Sequence, residues 1–283
     1  MTGITRQPTS RPPADHAAYD VEKLGNSAAP VPQTGTPLTA DTTPAPMHNP
    51  DASLQGAAKR RYVRGMFARI ARRYDLVNTL MSLGQDALWR RYAARRAAPK
   101  PGELALDVGT GTGLLAQRLA RAGACTIAVD FCEDMMLEGR RRGVGKSEPV
   151  YFVGADALKL PFPDDTFHCI TTGFTMRNVV DIEAAFREMR RVLRPGGRLV
   201  CLEVGRPRTS MARRLHALYT RKVVPLLGTL LTGDADAYTY LPSSMDKFPS
   251  PPELARIMRA AGLRNVHYKL LTFGAVAVHS SVK

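Results

Sequence analysis

The chain predicts an α/β fold: a seven-stranded, mostly parallel, Rossmann-like sheet with helices on both faces and a helical cap ahead of it. Three observations carry this. Leu104–Val108 and Cys125–Asp130 are short β-rich apolar runs, each ending at or beside an acid, and they flank a glycine-rich turn and a helical stretch. Strand-like and helix-like stretches then alternate to about residue 204, the pattern of a parallel sheet with right-handed crossovers. Two closing β-rich stretches, about 264–271 and 274–280, bring the count to seven.

Taken in order, residues 1–55 are rich in Pro, Thr and Ala, lack periodicity and read as a disordered tail. The tail has no apolar h-region, and its five acids outnumber Arg6, Arg11 and Lys23, so neither a secretory signal nor a transit peptide fits. The remainder, 56–283, reads as one domain. Residues 57–97 form the helical cap: Val63, Met66, Phe67, Ile70 and Tyr74 recur at helical spacing up to Gly84, and Asp86 is placed to cap a further helix through Trp89 and Tyr92. Pro99-Lys100-Pro101-Gly102 breaks the chain before the first strand. A helix from Leu114 to Gly123 links the first two strands, and a second helix over 133–142 leads to a third strand at Val150–Val153. Phe167–Thr172 is the fourth strand. Asp181 caps a helix that Arg194-Pro195-Gly196-Gly197 ends, and Arg198–Val204 is the fifth strand. Residues 209–245 read as an insertion on the substrate side, amphipathic over 209–232 with Arg213, Arg214, Arg221 and Lys222 on its basic side and Pro225 and Gly228 interrupting it. A helix at 251–261 precedes the two closing strands.

Composition narrows the classes. No apolar run approaches the roughly 18 residues of a membrane span. The net charge of +15 falls on arginine doublets scattered through the domain. Two readings stand: a solvated surface, or attraction to an anionic membrane or a nucleic acid. No Arg-Gly-rich tract or aromatic-studded RNA-binding motif is present, so no nucleic-acid partner is expected. Cys125, Cys132, Cys169 and Cys201 form no ligand pattern; they read as reduced core residues of a cytoplasmic protein, with no metal implied.

The glycine turn decides the ligand class. Gly109-Thr110-Gly111-Thr112-Gly113 is not a dinucleotide fingerprint, because Leu114 stands where its last glycine belongs, and no Lys-Ser or Lys-Thr follows as in a P-loop. Alternating glycines bring the backbone against a ligand that has no pyrophosphate. Asp130, twenty-one residues beyond Gly109, is placed to take both hydroxyls of a ribose. A phosphate-free ribose ligand beside Asp107 suggests S-adenosyl-L-methionine; the bland alternative is a tight turn that binds nothing. Asp107 itself reads as an acceptor for backbone N–H groups of the glycine turn.

Several longer blocks resemble one family. They are Phe67 to Asn78, which contains Tyr74-Asp75-Leu76-Val77-Asn78; Leu80–Gly84 with Trp89-Arg90-Arg91; Leu106–Gly113; Leu160–Phe167; Met176-Arg177-Asn178-Val179; Arg191–Gly197; and Asp234–Leu241. From about residue 59 onward the chain resembles the ubiquinone/menaquinone biosynthesis C-methyltransferases (UbiE/MenG type). The resemblance implies a class I methyltransferase sheet, S-adenosyl-L-methionine as cofactor, and carbon methylation of a polyprenylated quinol, on a naphthoquinol or a benzoquinol ring. It implies cofactor contacts at Thr112, at Asp130 and at Asp156 with Ala157. The chain departs from the family at Gly173, at His168 and at Phe174-Thr175-Met176, all flanking the expected substrate pocket rather than the cofactor.

Methylation of a ring carbon needs a cationic or hydrogen-bonding group where phenolate charge develops, within a dry pocket. Arg177 is the candidate for that group, with Tyr74 and Asn178 positioning the ring; the competing readings are an ion-pair role for Arg177 and core packing for Tyr74. His168 reads as a packing residue rather than a base. The prenyl tail requires an apolar groove, which 209–232 and the N-terminal helices could line, their arginines facing anionic lipid at the cytoplasmic membrane face. A homodimer stays open. Alternatives of other kinds are a related methyltransferase of secondary metabolism, an RNA-binding methyltransferase and a non-enzymatic scaffold.

Overall fold

In a computed structural model, residues 56–207, 211, 214 and 217–283 are described; the tail 1–55 and Arg213 of the insertion lie outside them. Apolar spacing produces two cap helices, α1 (Gly56–Met81) and α2 (Gln85–Ala97), parted by Gly84 in the left-handed region. The αβ body follows: β1 (Leu104–Val108), α3 (Ala116–Arg121), β2 (Cys125–Asp130), α4 (Glu133–Arg141), β3 (Val150–Gly154), β4 (Phe167–Gly173), α5 (Ile182–Val192) and β5 (Leu193–Val204). The insertion holds α6 (Val224–Thr232) and α7 (Ala235–Lys247), and α8 (Pro251–Ala260), β6 (Arg264–Leu271) and β7 (Val276–Val282) close the chain.

The sheet order is β3-β2-β1-β4-β5-β7-β6, parallel from β3 to β5, with β7 antiparallel to β5 and β6. Alternation along each strand loads both faces. Leu104, Leu106, Ile127, Ile170 and Leu199 pack with α5 and α8, through Phe186, Met189 and Leu254. Ala105, Cys169, Val200 and Leu202 pack on the other face with Ala93, Ala97 and Leu119 of α2 and α3. Strand order reverses between β1 and β4, so a crevice opens at their carboxyl ends. Helix α1 lies across that crevice, its Val63, Met66, Ile70 and Val77 packed on Tyr238 and Tyr240 of α7.

Four local expectations change. Asp86 caps nothing: the N-cap is Gly84, and Asp86 is buried in the first turn, where it takes Arg90 as an ion-pair partner. Helix α3 starts at Ala116 rather than Leu114, because three left-handed glycines (Gly109, Gly111, Gly113) keep the chain in turns until then. Strand pairing of β5 begins at Leu193 and runs through the Pro-Gly-Gly block, since Leu193 pairs with Phe167 and Lys283 at the chain end donates to Gly197. Gly228 does not break the insertion; it lies inside α6, where any Cβ would collide with the Tyr238 ring, so it sets the distance between α6 and α7. The four cysteines are free and at least half-buried, and burial pushes the Cys132 and Cys169 thiols up to about 11.

Candidate active site

Two neighbouring cavities open at the carboxyl ends of β1, β2, β4 and β5. The smaller is walled by the glycine turn, with Asp107, Gly109, Gly111, Thr112 and Asp130 on one side and Tyr74, Phe174 and Asn178 on the other. The larger, about 610 Å³, is lined mostly by apolar groups and holds Arg177 in its wall. Tyr74, Arg90 and Phe174 border both. Gly113 stands behind the turn against Phe152 and Val144. Asp156 and Ala157 do not line the smaller cavity: Asp156 is paired with Arg60 of α1 at 3.3 Å, and Ala157 packs on the core.

The turn is shaped by its acids. Asp130 accepts from the Gly111 amide at 2.7 Å and from the Cys132 amide at 2.9 Å, and burial pushes its carboxyl above the usual range. A Cβ at Gly109 would collide with Thr175, so only glycine lets the loop pass there at its positive φ. Asp107 accepts from Thr110 Oγ1 at 2.7 Å and from Thr171 Oγ1 at 2.6 Å. Its backbone donor is Ala116, at the start of α3, rather than the glycine turn.

Burial pushes Asp107 up to about 6. The native carboxyl therefore keeps its proton at pH values where the unfolded chain has lost it, and stability falls as pH rises from about 4 to about 6. Urea unfolding is expected to lose on the order of 3 kcal/mol across that window, and Asp107→Asn to flatten the slope.

Helix α1 closes the smaller cavity. Thr112 Oγ1 donates to Asp75 Oδ1 at 2.9 Å, Arg142 pairs with Asp75 at 3.2 Å, and Lys59 Nζ donates to the Val179 carbonyl at 2.9 Å. The slot that remains is about 60 Å³. A nucleoside-sized ligand needs roughly 300 Å³ or more, so the slot as it stands is too narrow for one.

Arg177 sits in a 3-10 turn, Met176–Asn178, directly after β4. Its Nη1 donates to the Phe174 carbonyl at 2.7 Å and lies 3.4 Å from Glu203, a fully buried carboxylate at the end of β5. Its Nε–H is buried and has no partner. Phe174 has φ 57, a strained value for a non-glycine residue, and the guanidinium groups of Arg90 (5.8 Å) and Arg177 (5.7 Å) both lie over its ring. Asn178 Oδ1 accepts from Tyr240 Oη at 3.4 Å. Tyr74 meets Phe67 edge to face at 5.6 Å.

His168 lies at the opposite end of β4, where its Nδ1 accepts from the Leu104 amide at 3.1 Å. Burial lowers its pKa, and it is remote from both cavities. Sequence reading gave no role to Asp75, Arg90 or Glu203, and took Phe174 only as a departure flanking the substrate pocket. The first two lie inside blocks that carried the resemblance; the strain at Phe174 and the partner of Glu203 left no trace along the chain.

Three left-handed glycines, one of them packed too tightly for any Cβ, and a carboxylate at the tip of β2 suit a ribose-bearing ligand without phosphates. Similarity to known proteins agrees. Residues 55–283 match the ubiE/COQ5 methyltransferase family. The chain is 48% identical to a demethylmenaquinone methyltransferase of Roseiflexus castenholzii over 227 residues, 80% of this chain and 94% of that one. It is 45% identical to the enzyme of the same name from Thermus thermophilus, over 76% of this chain and 98% of that one. A SAM-dependent methyltransferase from Thermotoga maritima shares the fold with a TM-score of 0.54 at 23% identity, over 77% of this chain and 98% of that one. The chain thus belongs to the ubiE/COQ5 methyltransferase family and is an S-adenosyl-L-methionine-dependent methyltransferase.

Proposed function

We propose that the protein C-methylates the ring of demethylmenaquinol, in line with its Roseiflexus and Thermus relatives, which are named demethylmenaquinone methyltransferases. The observation that carries this reading is the 610 Å³ apolar cavity with Arg177 in its wall, which shares Tyr74, Arg90 and Phe174 with the cavity at the glycine turn. An apolar chamber of that size suits a ring and the start of a prenyl tail.

S-adenosyl-L-methionine supplies, when bound, an electrophilic methyl group and leaves as a neutral thioether. Gly109, Gly111, Thr112 and Asp130 would hold it, Asp130 at the ribose, while Asp107 braces the loop from beneath; Asp156, freed from Arg60, and Ala157 would meet the adenine. Arg177 stabilises the phenolate formed when the quinol hydroxyl loses its proton. Transfer would join the ring carbon to the methyl group, with the neutral thioether as leaving group and the ring C–H proton passing to water. Tyr74 and Asn178 orient the ring across the shared wall, and Phe174 keeps water out of it. The unpartnered Nε–H of Arg177 favours this role: a buried donor costs free energy until an acceptor reaches it, and a quinol oxygen is such an acceptor. A prenylated substrate resides in the bilayer, so the enzyme works at the cytoplasmic face of the membrane.

The test is methylation of reduced demethylmenaquinone, dispersed in detergent, by the full chain with S-adenosyl-L-methionine, read by mass analysis. A product heavier by one methyl group on the ring is expected. Turnover of a short-tailed phenol with none of the prenylated quinol would instead select a methyltransferase of secondary metabolism.

A further inference from the structure

We propose that two pinned turns at the mouth of the apolar cavity, at Leu83 and at Phe273, are the point at which the protein seats in an anionic bilayer surface. The inference deepens the quinol assignment and rests on it only for what passes through the mouth. Leu83 and Phe273 line the cavity yet are 83% and 92% exposed. Both have left-handed backbone, φ 52 and φ 54, where glycine or asparagine would be unstrained. Neither residue gains burial for its strain, so folding alone gives no reason for a large apolar side chain at either tip.

The tips are held side by side. Trp89 Nε1 donates to Thr272 Oγ1 at 2.8 Å, and Thr272 Oγ1 donates to Gln85 Oε1 at 2.6 Å. The turn between β6 and β7 is thereby tied to the first two turns of α2, which begins just after Leu83 and Gly84. Leu80 and Leu88, on the helices either side of Leu83, are also exposed.

Cations stand behind this apolar tip. Arg91 and Arg95 are exposed three and seven residues beyond Leu88 on one face of α2, about 4.5 and 10 Å further along its axis. Lys269, on the strand that leads into the Thr272 turn, holds its Nζ 5.3 Å from the Tyr92 ring centroid. The only acid in the cavity wall among the described residues, Asp86, is buried and paired with Arg90. Apolar tip first and cations behind is the order of layers that a bilayer surface presents, hydrocarbon beneath anionic headgroups. A nucleic acid would meet the cations and leave Phe273 without a partner. This seat uses arginines of the N-terminal helices, as the sequence suggested, but not the basic side of the insertion.

The test uses the full chain with quinone-free vesicles of phosphatidylcholine mixed with phosphatidylglycerol. Trp89 is the single tryptophan, so its fluorescence reports the mouth directly. Quenching by bromine-labelled lipid chains is expected on binding. The pair Leu83→Gly with Phe273→Gly relieves the backbone strain, so Tm is expected to hold or rise while vesicle affinity falls about tenfold or more. Arg91→Gln with Arg95→Gln is expected to weaken binding to phosphatidylglycerol vesicles and leave the weaker binding to neutral ones unchanged. Vesicle affinity untouched by the glycine pair, or absence of Trp89 quenching, would overturn the proposal. So would a dimer dissolved by the glycine pair without any vesicle binding, which would make the tips a contact between two copies. Turnover of detergent-dispersed quinol by the unmodified chain is read separately; if it persists while docking fails, the substrate assignment stands and the seat does not.

Discussion

Arg177→Met is expected to lower kcat by about 10²–10³, the usual consequence of removing a donor that meets charge developing in a transition state. Affinity for S-adenosyl-L-methionine should change little, because Arg177 lines the larger cavity and not the slot at the glycine turn. The substitution also strands Glu203, which is fully buried and whose pKa burial already raises against the opposing pull of Arg177. Leaving such a carboxylate without its partner costs about 3–5 kcal/mol, so the single variant is expected to melt earlier. Glu203→Gln in the same chain removes the stranded charge. If Arg177 acts on the substrate, the double variant regains Tm and stays inactive. If Arg177 only neutralises Glu203, the double variant regains turnover as well. Initial rates and thermal melts on the three proteins decide between them.

Asp130→Ala is expected to weaken cofactor binding by about 100-fold or more, through loss of charge-assisted bonds to the ribose and of the loop shape together. The carboxylate holds the Gly111 and Cys132 amides, and both donors lose their acceptor when it goes. Asp130→Asn separates the contributions: its one carbonyl oxygen can keep a single amide, and its NH₂ group faces the other donor, so affinity should fall between wild type and Asp130→Ala. Calorimetric titration with S-adenosylhomocysteine measures both. An affinity within threefold of wild type for Asp130→Ala would mean that the adenosine is not seated at the tip of β2.

How far the chain could be read in advance follows from the range of the interactions. The start and the buried face of helix α5 were legible, because Asp181 caps it through the Ala184 amide and Ala185, Phe186, Met189 and Val192 fall on one face. Helix α7 was not, since Pro242 lies within it and Asp234–Leu241 stood out only as a block of resemblance. The Pro-Gly-Gly block read as a stop, whereas pairing of Leu193 with Phe167 and of Gly197 with Lys283 draws it into the sheet.

By itself, the sequence determined the seven-stranded α/β sheet, the glycine turn between β1 and β2 and the kind of ligand that turn admits. Those are matters of periodicity two, periodicity 3.6 and glycine spacing, which neighbouring residues encode. Only the tertiary structure decided that the site is two chambers sharing Tyr74, Arg90 and Phe174, that Asp75 reaches Thr112 across 37 residues, and that Arg177 leans on Glu203, 26 residues away. It also put Leu83 and Phe273 at one mouth from opposite ends of the domain. Such pairs depend on which strands become neighbours and on what a helix is laid across, and no local spacing along the chain carries that information.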